Sequence, residues 1–266
     1  EEVEYRRDNI CLRGVKGATG TQASFLSLFN GNGEKVEQLD RLVVEKLEFS
    51  ADKRYSITGQ TYPRLVDAQI LNSLATVAAA IHKICNDIRL LANRKEIEEP
   101  FGKSQVGSSA MAYKRNPMRS ERATGLARFV MSMASNGLNT AATQWFERTL
   151  DDSANRRLSL PESFLALDGA LDLLHNITTG LVVYEKTILS NLMAELPFMA
   201  SENILMAVVS QGADRQEAHE LIRKHSQNAG YAVKYEGKSN DLLVRLQNEK
   251  MFSDLKFDEL LDPQDY

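Results

Sequence analysis

The stretch RLVDAQILNSLATVAAAIHKICNDIRLLANRK, from Arg64 to Lys95, decides the fold class. Its apolar residues follow one another at steps of four, three, four, three, four and three, the spacing of a seam along one side of a helix. This spacing predicts a single helix that is roughly 45–50 Å long at ~1.5 Å per residue. The residues of the predicted seam are Ile70, Leu74, Val77, Ile81, Ile84, Ile88 and Leu91.

A second row with the same stepping predicts another long helix further along the chain. Helices of this length need long partners, and the rest of the chain offers few. We therefore predict an all-α, long-helix bundle that is completed by other copies of the protein or by sequence outside this chain. The second row consists of Phe164, Leu167, Leu171, Leu174, Thr178 and Leu181.

The character of the sequence changes after Val183, where the helical segments become shorter and more polar. This change predicts two domains, a helical-bundle domain over 1–183 and a smaller C-terminal helical domain over 184–266. Within the second domain, helix breaks are predicted at Pro197, Gly212, Gly230 and Gly237.

Shorter helices are predicted over 21–29 and 33–47. Another is predicted to begin with Asn116 as N-cap and Pro117 at its first position, and to end near residue 135. Pro161 leaves two alternatives open, since either a new helix begins there or a longer helix is kinked.

Composition excludes several classes of function. The net charge of −4 argues against a general nucleic-acid binder. Two cysteines cannot build a disulfide framework, which favours a reducing, cytoplasmic compartment. The chain has no run of about 18 apolar residues, so no membrane association is expected. It has no Cys/His cluster either, so we expect neither a metal nor another cofactor.

The segment GSSAMAYKRNPMRSER, from Gly107 to Arg122, carries the first candidate site. Two hydroxyls follow a glycine, and four cations follow the hydroxyls. A helix that begins here would favour an anion at its positive end. We interpret the segment as a mobile catalytic loop that runs into an anion-binding helix start; the alternative is a solvated loop with surface arginines.

Two further segments are candidates for the same ligand. WFERTLDDSANRR places Arg148 before a helix start, with Ser153 and Arg157 four residues apart on one face. Arginine suits phosphate and carboxylate groups, although the two aspartates here could simply pair with neighbouring arginines. ITGQTYPR places Gln60 in a short loop before the long helix, where its amide could orient a ligand or stabilise the loop.

The run Gly107–Pro117 matches the G-S-x-x-M-x-x-K-x-N signature of the fumarase/aspartase superfamily. Together with RGVKGATGTQASF, ITGQTYPR, QWFERTLDDSANRR and ELPFMASENI, it resembles the animal-type adenylosuccinate lyases over essentially the whole chain. The resemblance implies a cytoplasmic homotetramer whose long helices form a central bundle and whose active sites are shared between chains.

The resemblance also implies a reaction and a set of roles. These carbon–nitrogen lyases release fumarate by β-elimination from adenylosuccinate, giving AMP, and from the succinyl-carboxamide ribotide SAICAR, giving AICAR, in purine nucleotide biosynthesis. Ser108 would be the general base, and Lys114 and Asn116 would bind the succinyl carboxylate and stabilise its developing charge. The remaining substrate-binding positions would be Gln60, Arg122, Arg148, Ser153 and Arg157.

Two departures from the family pattern stand out. Ala112 replaces the usual proline of the loop. None of the four histidines matches the upstream general acid of the family, so we expect this to be a partial chain, inactive by itself. The alternatives are a sister lyase acting on another succinyl compound, such as argininosuccinate, a non-catalytic crystallin-like relative, and a generic helical scaffold that binds anionic partners.

Overall fold

The computed structural model describes residues 1–102, 110, 111, 113–146 and 148–265. Helices dominate these residues, which confirms the predicted all-α class. In chain order they are α1 (Glu2–Asp8), α2 (Ala23–Leu28), α3 (Gly33–Lys46), α4 (Leu65–Asn93), α5 (Met118–Ala142), α6 (Leu150–Thr179), α7 (Glu185–Met199), α8 (Ser201–Ser210), α9 (Arg215–Glu236) and α10 (Leu242–Gln247). Two short strands, β1 (Ile97–Glu98) and β2 (Val182–Val183), pair with each other. The 3-10 helices Phe257–Leu260 and Pro263–Asp265 follow α10.

The chain divides into two compact units, Glu1–Val182 and Val183–Tyr266. The division lies one residue before the predicted boundary between 183 and 184. The first unit carries all the residues that the sequence nominates for chemistry.

Three long helices form the core of the first unit, and α5 runs antiparallel to both α4 and α6. A Cβ placed on Gly137, late in α5, would lie 2.7 Å from Cα of Ala68, early in α4, so only glycine permits this approach. Early in α6, Asn155 Nδ2 donates to Asn136 Oδ1 of α5 at 2.8 Å. We call the end where α4 and α6 begin the amino end of the bundle, and the opposite end, where α5 begins, the carboxyl end.

The predicted seam of α4 proves to be only partly the buried face. Leu74, Ile81 and Ile88 are buried as expected, but Ile84 and Leu91 are 41% and 37% exposed. The helix is apolar around more than half of its circumference. The face that becomes buried is the one with small residues such as Ala68, because these allow α5 to approach closely. The buried apolar residues of α4 are Ala68, Leu71, Leu74, Ala78, Ile81, Cys85 and Ile88.

The second row behaves in the same way on α6. Leu167 is buried, whereas Phe164 and Leu171 are 52% and 44% exposed. Both long helices therefore carry apolar side chains that no other part of this chain covers within the described residues.

Several predicted boundaries need correction. The helix predicted from Asn116 begins at Met118, with Pro117 at the N-cap position, and extends to Ala142 rather than 135. Pro161 lies inside the continuous helix α6, so no new helix begins there.

Two predicted breaks in the C-terminal unit were also wrong. Pro197 lies inside α7, and Gly230 lies inside α9, which runs for 22 residues. Gly212 and Gly237, both at positive φ, do lie between helices. The core of this unit is formed by Ala200, Ile204, Leu205, Val208, Ala218, Ile222, Ala229, Leu242, Leu246, Phe252, Leu255 and Phe257.

Among the described residues, α4 has the length and low charge of a helix that could cross a membrane, and α7 with α8 would make a second span if their 47° bend is ignored. In α4 the buried face packs against α5 and α6 around Leu71, Ile81 and Val130. A core helix of a bundle has the same composition as a short membrane span.

Candidate active site

The described site candidates fall into two groups at opposite ends of the bundle. Gln60, Arg148 and Ser153 lie beside the starts of α4 and α6, at the amino end, and Arg157 is two turns into α6. Lys114, Asn116 and Arg122 lie beside the start of α5, at the carboxyl end. Ser108, together with the rest of 103–109, lies outside the described residues, as does Ala112.

At the amino end, the loop before α4 packs on the loop before α6. Gln60 Oε1 accepts a hydrogen bond from the backbone N–H of Arg148 at 3.2 Å. Gln144 Oε1 accepts from the backbone N–H of Arg64 at 2.8 Å, and its amide donates to the carbonyl of Tyr62 at 3.3 Å. Gln60 therefore stabilises the loop, as one alternative held. Its Nε2 makes no hydrogen bond to the described part of the chain and has two N–H donors for a ligand.

A buried network of charges lies beneath these loops, and sequence reasoning missed most of it. Tyr62 Oη donates to Asp67 Oδ1 at 2.7 Å, and the guanidinium of Arg156 donates to both Asp67 Oδ2 and Tyr62 Oη. Beside them, Arg64 Nε donates to Asp152 Oδ2 at 2.8 Å. Burial and the hydrogen bond to Asp67 raise the pKa of Tyr62, so the phenol stays protonated and donates.

The alternative in which the aspartates pair with neighbouring arginines is partly right. Arg156 lies 3.9 Å from Asp152, but its shorter contact is with Asp67 of α4. Arg157 is exposed, and neither an ion pair nor a side-chain hydrogen bond involves it within the described ranges. The same holds for the side chain of Arg148. Two guanidinium groups at this end are therefore available to an anion.

The start of α6 itself is already compensated. Asp151 and Asp152 occupy its first turn, where carboxylates offset the positive end of the helix dipole. An anionic ligand at this end would thus be held by arginine side chains rather than by the backbone of the helix start.

At the carboxyl end, the start of α5 is occupied by the chain's own carboxylate. Glu99, which is 8% exposed, accepts hydrogen bonds from the backbone N–H groups of Arg119 at 3.0 Å and Ser120 at 2.7 Å. The prediction that this helix start receives a ligand anion was therefore wrong. The residue that caps the helix comes from a segment 21 residues earlier, which no local pattern reveals.

The four cations of this segment divide into two kinds. The side chain of Arg119 donates to the carbonyl of Pro100, and Arg115 pairs with Glu98 at 2.9 Å. Lys114 and Arg122 are exposed, and no ion pair involves them in the part of the chain that the structure describes. Lys114 also lines an open groove of about 850 Å³, together with Asn116, Asn86, Arg89, Lys95 and Tyr113.

Glu99 provides a test of this capping arrangement. We expect Glu99→Ala to lower Tm by about 3–10 °C, because two buried N–H groups lose their acceptor at a cost of about 1–3 kcal/mol. The Tm values of Glu99→Ala and of a control, Glu121→Ala, are compared by thermal unfolding. Glu121 is an exposed carboxylate in the first turn of the same helix, and its interaction with the helix dipole contributes less than about 1 kcal/mol. Equal Tm values for Glu99→Ala and Glu121→Ala would contradict the capping role.

Two of the four histidines lie in the first unit, His82 on α4 and His175 on α6. His82 is half-buried and lies 3.1 Å from Asn86, which lines the groove of Lys114, whereas His175 is exposed. His225 contacts Glu249 at 2.8 Å in the second unit. Over the residues that the structure describes, no three His, Cys, Asp or Glu side chains are grouped as metal ligands.

Gln60 and Arg148 cannot meet Lys114 and Asn116 on one ligand within a single chain. They are separated by the length of α5, whose 25 residues span about 37 Å at ~1.5 Å per residue, whereas Arg157, two turns into α6, and Arg122, one turn into α5, lie closer together. A nucleotide is far shorter than this distance. A single site would have to take the two groups from different copies of the chain.

Comparisons with known proteins agree with the sequence motifs. Residues 197–266 match the family described as Adenylosuccinate lyase C-terminus, and residues 21–132 match the family described as Lyase. The chain is 56% identical over 265 residues to the adenylosuccinate lyase of Saccharomyces cerevisiae, covering 99% of this chain and 55% of the yeast protein. It is 55% identical to the Schizosaccharomyces pombe adenylosuccinate lyase, covering 96% of this chain and 53% of that protein. The chain thus spans about half the length of the curated relatives it matches.

Solved structures share the fold at lower identity. The 3-carboxy-cis,cis-muconate lactonizing enzyme from Pseudomonas putida superposes with a TM-score of 0.79 at 24% identity, covering 99% of this chain and 55% of that one. The fumarate lyase from Mesorhizobium sp. BNC1 gives 0.76 at 23% identity, covering 99% and 56%.

Proposed function

Because the chain belongs to the adenylosuccinate lyase family, we propose that it is the central and C-terminal portion of an enzyme that releases fumarate from adenylosuccinate and from SAICAR. The products would be AMP and AICAR. The observation that carries this proposal is that four cations at the predicted site positions, two at each end of the bundle, are exposed and have no ion pair among the described residues, on a chain so similar to known lyases of this substrate. They are Lys114, Arg122, Arg148 and Arg157.

The charges of the substrate account for these cations. Adenylosuccinate carries a phosphate and two carboxylates, and arginine presents paired donors to such groups. Arg148 and Arg157 would bind substrate anions at the amino end, where Gln60 and Ser153 add hydrogen bonds. Arg122 would contribute from the carboxyl end.

The chemical step needs a base and a fixed positive charge. A base removes a proton from the carbon next to a succinyl carboxylate, and the electron pair accumulates on that carboxylate. The pair then forms the double bond of fumarate as the C–N bond breaks, and the leaving nitrogen takes a proton from the general acid of the family, which would come from outside this chain. Ser108 is proposed as the base, while Lys114 and Asn116 stabilise the developing charge. Fixed donors and cations of this kind are usually the largest catalytic contribution, because they need no reorganisation during the reaction.

We propose that the active sites are completed by other copies in a homotetramer. The separation of about 37 Å between Gln60 at the amino end and Lys114 at the carboxyl end supports contributions from more than one chain. The exposed apolar residues Ile84, Leu91, Phe164 and Leu171 on the long helices offer surfaces for that assembly. A cytoplasmic location is proposed as well, in keeping with the two free cysteines.

The direct test is an assay on the full-length protein that carries this chain. Fumarate release from adenylosuccinate, followed as a fall in absorbance near the purine band, is the expected result. Argininosuccinate serves as the counter-substrate. Turnover of argininosuccinate without turnover of adenylosuccinate would contradict the proposal and identify a sister lyase, and turnover of neither would favour a non-catalytic relative.

Substrate binding at the amino end gives a second prediction. We expect Arg157→Ala to raise KM for adenylosuccinate by about 10- to 100-fold, because a hydrogen bond to a charged group contributes about 1.5–3 kcal/mol, with kcat changed far less. Steady-state kinetics measure both constants. Arg128→Ala, an exposed arginine in the middle of α5, is the matched control. Unchanged kinetics in Arg157→Ala would remove this residue from the site.

A further inference from the structure

We propose that Tyr62, Asp67 and Arg156 are positioning residues. They hold the loop that carries Gln60, and the exposed face of α6 that carries Arg157, in the geometry that the substrate needs. This inference rests on the proposed function. None of the three side chains is assigned to substrate itself.

The network joins three separate segments of the chain. Tyr62 belongs to the loop before α4, Asp67 to the first turn of α4, and Arg156 to the second turn of α6. Asp67 accepts from both of the other side chains, and the guanidinium of Arg156 lies 5.4 Å from the centre of the Tyr62 ring. The guanidinium of Arg64 contacts the same ring at 4.8 Å. The phenol is therefore fixed by two hydrogen bonds, one donated to Asp67 and one accepted from Arg156, and by guanidinium contacts of Arg64 and Arg156 with its ring.

Stability alone is a poor reason for placing these groups here. The side chains of Asp67 and Arg156 are only 3% and 22% exposed. The free energy needed to remove such charges from water is about as large as the free energy gained from their attraction. Packed apolar residues would therefore stabilise the contact between the helices at least as well. Charged hydrogen bonds do fix direction, because the planar fork of arginine accepts few alternative geometries. The network is thus better suited to setting positions than to adding stability.

The order of residues along the chain connects this network to the proposed binding groups. Gln60 precedes Tyr62 by two residues, and Arg157 directly follows Arg156. Successive residues of a helix point about 100° apart, so anchoring Arg156 inward leaves Arg157 facing outward. A shift of about 1 Å in such groups is enough to impair binding and catalysis. Loss of the network would therefore disturb both binding segments together.

Tyr62→Phe tests the inference, because it removes a single oxygen and keeps the packed ring. In the full-length enzyme we expect KM for adenylosuccinate to rise about 3- to 10-fold with kcat within about 2-fold. In a background that combines Gln60→Ala with Arg157→Ala, the effect of Tyr62→Phe on KM should fall below about 2-fold, because both positioned groups are gone. Tyr55→Phe, in the same loop region but with a hydroxyl that makes no hydrogen bond within the described residues, should match the wild type.

An unchanged KM in Tyr62→Phe would overturn the inference. This also holds if kcat and Tm fall while KM stays at the wild-type value, because a purely structural role reduces the amount of folded enzyme and not its affinity for the substrate. Arg156→Lys keeps the positive charge but lacks the planar guanidinium group with its paired donors, and it should raise KM as Tyr62→Phe does. An inactive wild type would instead refute the proposed function, so the two failures are distinguishable.

Discussion

Ser108→Ala should lower kcat for fumarate release by about 10³-fold or more in the full-length enzyme, with little change in substrate affinity. A positioned general base contributes about 10²–10⁴-fold, and no second base is proposed for the carbon-bound proton. The hydroxyl is a small part of the contact surface, so the cations that bind the phosphate and carboxylates stay in place. Single-turnover kinetics measure the chemical step, and calorimetric titration with adenylosuccinate measures the affinity.

The adjacent hydroxyl provides the control for that prediction. Ser109→Ala removes the same group one residue further on and should cost far less than Ser108→Ala. Near-normal turnover in Ser108→Ala, or a larger loss in Ser109→Ala, would show that the base is assigned to the wrong residue. The assignment of Ser108 depends on the signature sequence, since this residue lies outside the described part of the chain.

The sequence predicts the helices of this protein better than their packing. The four-three stepping from Ile70 to Leu91 was sufficient to predict α4. It was not sufficient to predict which side is buried, because α4 is apolar around most of its circumference. The buried side depends on close approaches such as that of Gly137 to Ala68, 69 residues apart in sequence.

The same limit applies to the polar groups of the site. Arg119 and Arg122 look equivalent in the sequence, but Arg119 contacts the carbonyl of Pro100, whereas Arg122 is exposed. Arg156 looks like a partner for Asp152, yet its nearest carboxylate belongs to Asp67, 89 residues away. Local spacing identifies residues of the right chemical type, and tertiary contacts decide which of them are available to a ligand.

One consequence could have been drawn from the sequence alone. Gln60 and Lys114 lie on either side of a helix that was predicted to be about 45–50 Å long. The two candidates must therefore lie at opposite ends of the bundle in any one chain. The structure bears this out, and the shared active site is the central proposal that follows.

Mixing two impaired variants of the full-length protein, assayed at a substrate concentration well below the KM of the amino-end variant, tests this proposal most directly. The carboxyl-end variant is Lys114→Ala, which removes a charge-stabilising group worth about 10²–10³ in kcat. The amino-end variant combines Arg148→Ala with Arg157→Ala, which removes two substrate-binding cations. If each site takes its two ends from different copies, random mixed tetramers should regain about a quarter of the wild-type sites.

The matched control mixes two variants of the same end, Lys114→Ala and Asn116→Ala. Each site then inherits one or the other defect, so we expect no recovery. For the test pair, co-expression with two affinity tags and purification through both yields mixed tetramers for the fumarate-release assay. We predict substantial recovered activity from the test pair and none from the control. Test-pair tetramers no more active than either parent would contradict an active site shared between chains.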